Sequence, residues 1–111
     1  MTSLGEVMDM RLPAREVQLI DNCLREQRGG VRGYHRLRTR KAGRQRYIDL
    51  HLLVDPQQTV ESAHEICDAL EEAIRSRLSG AVVTIHLEPD DGRYRGPWHE
   101  EAMEMGGDEG G

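Results

Sequence analysis

The chain has 111 residues, 37% of them hydrophobic, with no phenylalanine and a formal net charge of −5. That length suits one domain of about 80 to 100 residues with a modest core of Leu, Ile, Val and Ala, and it is too short for two. A monomer of this composition is expected to be marginally stable and to gain from association. The acidity is local: residues 90–111 carry seven acids against Arg93 and Arg95, while the remaining 89 residues carry 13 acids and 13 bases. No 18-residue apolar run and no signal peptide is present, so the stretch is expected neither to insert in a membrane nor to be exported. Cys23 and Cys67 have no thiolate-pair spacing; on apolar helix faces they read as small hydrophobes in a reducing cytosol.

Residues 1–12 form a lead-in. Pro13 suits a first helical position, and Val17, Ile20, Cys23 and Leu24 at three-to-four spacing predict a helix over about 13–28, stopped by Gly29-Gly30. The period then changes to two. Gly33 to Arg40 and Gln45 to Val54, joined by a turn at 41–44, predict a hairpin closed by Asp55-Pro56. Thr59 is a good N-cap for a second helix with Glu61 in its first turn. That helix carries Val60, Ala63, Cys67, Leu70, Ile74 and Leu78 on one face and stops at Gly80. Val83, Ile85 and Leu87 alternate in a third strand, 81–88, ended by Pro89. The order α-β-β-α-β, with a crossover long enough to make its two flanking strands parallel, predicts an α+β, ferredoxin-like domain over 13–89. Two helices would cover one face of a three-stranded mixed sheet. The acidic, Gly-rich stretch 90–111 reads as a disordered tail.

Strand parity decides how the histidines are read. If Ile48, Leu50, Leu52 and Val54 face the helices, Asp49 and His51 face away; by the same rule Thr84, His86 and Glu88 point away from Val83, Ile85 and Leu87. Asp49, His51, His86 and Glu88 therefore share the face that the helices leave open. His35 has the parity of Leu37 and would face the core in a regular strand, but it follows Gly33, where a bulge or bend can re-aim it. His64 sits at the border of the apolar face in the first turn of the second helix. Imidazoles joined by carboxylates suit zinc and other borderline divalent ions.

A rival signal is basic. Between Arg25 and Arg46 nine positive residues face one acid, Glu26. Nucleic acid is not expected as a partner, because only Tyr34 and Tyr47 offer stacking surfaces. The expected alternative is a solvated hairpin whose arginines pair with Glu61, Glu65, Asp68, Glu71 and Glu72 of the second helix. No nucleophile-base-acid set or phosphate-cradling Gly loop can be assembled, so an enzyme is not expected.

Taken in order, Gly33-Tyr-His-Arg-Leu-Arg-Thr-Arg40, Ile48-Asp-Leu-His-Leu52, Val60 to His64 and Ile85-His-Leu-Glu-Pro89 resemble the cytoplasmic C-terminal domain of cation diffusion facilitator transporters. This is the zinc, iron and manganese efflux family, and the likeness runs over about residues 3–89. The lead-in Val7-Met-Asp-Met-Arg-Leu-Pro13 looks like the segment that follows the family's last membrane helix. The resemblance implies a fold similar to copper chaperones, a V-shaped homodimer, and regulatory metal ions at and near its interface. It implies His35, His51 and His86 as metal ligands, with His64 helping to complete the site. Glu88 falls where zinc-transporting members carry a bridging aspartate; its extra methylene moves the carboxylate outward, which argues against a two-metal cluster and leaves a single ion. Asp9 matches a membrane-proximal aspartate that helps lock the family's helices together, a role it cannot have here without its partner helix.

The expected function is thus the cytosolic regulatory, metal-sensing and dimerisation domain of a cation diffusion facilitator transporter. Zn2+ is the leading ion, with Cd2+, Fe2+, Co2+, Ni2+ and Mn2+ open to the same donors. The expected partners are a second copy of the chain and the transmembrane domain of the same transporter, at the cytosolic face of the inner membrane. The alternatives are a free-standing metal buffer or chaperone built from this domain alone, and a dimeric interaction module whose metal site has decayed. Trp98-His99-Glu100-Glu101, with Met103 and Met105, reads as a solvated extension with at most weak metal affinity.

Overall fold

The computed structural model of the chain describes residues 11–27, 29–94 and 98. Its elements in chain order are α1 (Ala14–Glu26), β1 (Val31–Ala42), β2 (Gln45–Val54), α2 (Val60–Arg77) and β3 (Ala81–Pro89). Strand β2 is central, antiparallel to β1 and parallel to β3. This is the ferredoxin-like α-β-β-α-β arrangement expected from the sequence.

Each element forms where its side chains demand it. In α1 the buried positions Glu16, Ile20, Cys23 and Leu24 fall on one helical face. In α2, Thr59 caps the N-terminus by accepting from the Ser62 N–H at 3.0 Å, Glu61 occupies the first turn, and Arg75 and Arg77 the last; each satisfies an end of the helix dipole. Ile20 and Leu24 of α1, Ile48, Leu50 and Leu52 of β2, and Leu70 and Ile74 of α2 are at most 1% exposed and form one cluster, so both helices share one face of the sheet. Removing each of these Leu or Ile side chains from water stabilises the fold by about 1.5–3 kcal/mol. Cys23 is buried and Cys67 half-buried, both as free thiols raised above their ordinary pKa chiefly by burial.

The hairpin turn is tighter than its sequence suggests. Ala42 pairs directly with Gln45, leaving Gly43-Arg44 as a two-residue loop with Gly43 at φ +62°, the backbone such a turn requires of glycine. Gly80 is equally constrained: at φ +71°, a Cβ there would lie 2.2 Å from the Arg44 carbonyl oxygen. Its own carbonyl accepts from the Arg46 N–H at 2.9 Å and opens the parallel ladder.

Strand β1 carries two irregularities in its pairing with β2, between Val31 and Gly33 and between His35 and Arg38. The second contains Arg36 at φ +55°. One extra residue there switches the parity of the strand, so that His35 stands opposite His51 while Leu37 packs on the core. The alternation in β3 holds for Val83 and Ile85. Leu87, expected on the core face, is 43% exposed, at the C-terminal end of an edge strand.

The segment after Pro89 also departs from expectation. The Asp90 N–H donates to the Val54 carbonyl at 2.8 Å, continuing the sheet. Tyr94 lies over Gly33, where a Cβ would come within 2.6 Å of its ring. Trp98, expected in a solvated tail, is 2% exposed. Its ring meets Tyr34 edge-on with centroids 5.6 Å apart, and its indole N–H donates to Asp21 at 3.3 Å. A large aromatic side chain buries enough apolar surface to dock even from a polar, glycine-rich stretch. Residues 95–97 and 99–111 of the expected tail, with His99, Glu100, Glu101, Met103 and Met105, and the lead-in as far as Met10, with Asp9, lie outside the described residues. Among the described residues no helix is long and apolar enough to cross a membrane.

Candidate metal centre

The open face of the sheet brings three of the five expected ligands together. His35 on β1, His51 on β2 and Glu88 near the end of β3 offer one ring nitrogen each and a carboxylate oxygen within 4.8 Å of one another, all half-buried. Three adjacent strands each contribute one donor, so the spacing of the set is fixed by the sheet and not by a loop. His35 Nε2 lies 3.0 Å from Glu88 Oε1, and His51 Nδ1 bonds the other carboxylate oxygen, Oε2. The His35 and His51 rings meet edge-on with centroids 5.4 Å apart. The hydrogen bond from His51, and then that from His35, hold the Glu88 carboxyl below the usual carboxylate range.

His86 stands beside this group without joining it. It is paired with His51 across the parallel ladder, and the two rings stack at 4.7 Å. Its Nε2 faces Asp49 Oδ1 at 3.1 Å instead of Glu88. His64 is not in the group at all: on α2, which packs against the other face of the sheet, its side chain is 73% exposed and pairs with Asp68 at 3.5 Å.

Sequence parity missed one wall of the site. A cavity of about 430 Å³ opens beside His35 and Glu88 and is lined further by Leu53, Pro89, Asp91 and Tyr94. Leu53 has open-face parity yet is 5% exposed. The only hint of this wall in the sequence is an aromatic residue, Tyr94, shortly after Pro89, in a stretch whose acids and glycines otherwise signal disorder.

The donor set fits a divalent cation of borderline character. Two imidazole nitrogens and one carboxylate match the ligand preferences of zinc and its neighbours, and three protein donors are enough to hold such an ion with a position to spare.

A family described as cation efflux protein, cytoplasmic domain, matches residues 12–90, and the chain belongs to it. The cation-efflux pump FieF of Pectobacterium atrosepticum is 40% identical over 87 residues, which are 78% of this chain and 29% of that protein. The chain thus spans under a third of the length of the curated relatives it matches. Among solved structures, the zinc form of CzrB is 42% identical and superposes with a TM-score of 0.70, covering 79% of this chain and 100% of that one. The metal-bound C-terminal domain of the CzcD transporter from Thermotoga maritima is 27% identical with a TM-score of 0.61, covering 75% and 100%.

Proposed function

We propose that this domain is the cytosolic metal-sensing and dimerisation module of a divalent-cation efflux transporter. The convergence of His35, His51 and Glu88 on one point of the open sheet face is the observation that carries the reading. Those three residues would hold the ion, Zn2+ first among the candidates. His86 would join by exchanging Asp49 for the ion, and His64, exposed on its helix, would be offered to a second copy of the chain. A bound ion supplies an electrostatic cross-link between groups that otherwise share protons. For the ion to act as a signal, the closed form of a V-shaped dimer must bind it better than the open form, since equal affinity shifts no population.

Imidazole ligates in its neutral form and Glu88 as the carboxylate, so affinity falls as acid protonates the donors. Calorimetric titration with zinc is expected to give a stoichiometric isotherm for the wild type and a loss of at least tenfold in affinity for His51→Ala and for Glu88→Gln. Indistinguishable isotherms would overturn the ligand assignment. A free-standing metal buffer would use the same ligands; it differs in whether the natural gene encodes membrane helices ahead of this domain.

A further inference from the structure

Toward the hairpin turn, charge is left uncompensated. Arg38, Arg40, Lys41 and Arg44 are all exposed, and none forms an ion pair among the described residues; Arg36, also exposed and outside any such pair, lies next to His35. The sequence suggested that they pair with the acids of α2, but those acids are engaged locally or face solvent: Glu71 binds Arg75 and Asp68 binds His64, each one turn away. Elsewhere among the described residues several cations are matched, Arg25 with Asp21, Arg32 with Asp55 and Asp90, Arg46 with Glu16, and Arg77 with Glu26.

Two further cations without an ion pair among the described residues fall in the same place. Arg11 and Arg15 flank the start of α1, where the Leu12 N–H donates to Thr39 Oγ1 at 3.2 Å and fixes the entering chain against the basic strand. Arg15 and Lys41 both act on the Glu16 carboxylate, although Arg46 has already neutralised it. Arg11, Arg38 and Arg40 border one cavity of about 730 Å³, and the Arg40 guanidinium lies 4.8 Å from the centroid of the Tyr47 ring. The result is a mostly basic end, with Asp49 the acid in that cavity's lining, held on the hairpin and a helix start.

We propose that this end is a docking surface for an anionic membrane, its arginines meeting phospholipid headgroups. Isolated guanidinium groups spread along a strand and a turn match a dispersed field of phosphates better than one compact ligand. Few aromatics interleave them for stacking bases. The choice of a bilayer over other polyanions rests on the transporter reading, which keeps the domain beside a membrane; the basic residues themselves are not among the proposed ligands.

Co-sedimentation of the full chain with vesicles tests it. Binding is expected to vesicles of phosphatidylcholine with phosphatidylserine, to be absent with phosphatidylcholine alone, and to be lost at high salt. The triple variant Arg38→Gln/Arg40→Gln/Arg44→Gln should partition roughly 100-fold more weakly, while the triple Arg→Lys variant at the same positions should bind as the wild type does. Thermal melts report whether both variants fold. No binding by the wild type, equal binding to neutral vesicles, or undiminished binding by the Gln variant would each overturn the proposal. So would salt-sensitive binding to RNA with none to vesicles. Zinc titration of the Gln variant should match the wild type, so failure of the metal reading registers separately.

Discussion

The two faces of strand β2 differ in what holds their side chains in place. On one face Ile48, Leu50 and Leu52 are at most 1% exposed beneath two helices. On the other, Asp49 and His51 alternate with them and stay half-buried, tied to Glu88, His86 and the ring of His35. One run of alternating residues thus carries both the core and the site. The core holds the strands at fixed spacing, and the strands hold the donors at fixed spacing, so a donor can be altered without loss of the framework while a core residue cannot.

Leu50→Ala should break this contrast from the core side, costing about 3–4 kcal/mol of unfolding free energy and lowering zinc affinity only as far as the fold is lost. Chemical denaturation followed by circular dichroism measures the first and titration the second. The complementary change, His51→Ala, should leave stability within about 1 kcal/mol while reducing affinity as described above. A His51→Ala variant as unstable as Leu50→Ala would show that the open face is structural.

Trp98→Ala comes next in size. Loss of a buried indole packed on Tyr34 and bonded to Asp21 is expected to cost about 3 kcal/mol, and a cost near zero would return that residue to the solvated tail predicted from sequence. Glu16→Gln should cost about 2 kcal/mol, because it leaves the mostly buried Arg46 without its two carboxylate bonds at 2.9 and 3.1 Å. The hydrogen bond from Arg46 holds the Glu16 carboxyl below the usual carboxylate range. Its contribution is therefore full at and above that range and is lost as pH falls through the lowered value. The wild type should lose stability through that acid window more steeply than Glu16→Gln, as melts across pH would record.

Much of this was legible in the sequence because it rests on period. The alternation of Ile48, Leu50, Leu52 and Val54 placed His51 on the open face, and the 3.6-residue spacing of Ala63, Leu70 and Ile74 placed α2 against the other. What failed to show depends on non-periodic geometry. That a bulge could re-aim His35 was legible from Gly33, but the parity switch itself falls at Arg36, a single backbone residue with positive φ, which nothing about arginine announces. That His86 turns to Asp49, leaving Glu88 to His35 and His51, is a choice among neighbours on one face, which parity cannot rank. Trp98 was hidden by its acidic, glycine-rich surroundings, since average composition conceals one well-docked aromatic ring.

The proposed metal site stands or falls on His35, His51 and Glu88 together. An anomalous-scattering map of zinc-soaked crystals tests it most directly. A peak is expected within bonding distance of His35 Nε2, His51 Nδ1 and a Glu88 carboxylate oxygen. A peak bound by His86 and Asp49 alone, or no peak on the open face of the sheet, would contradict it.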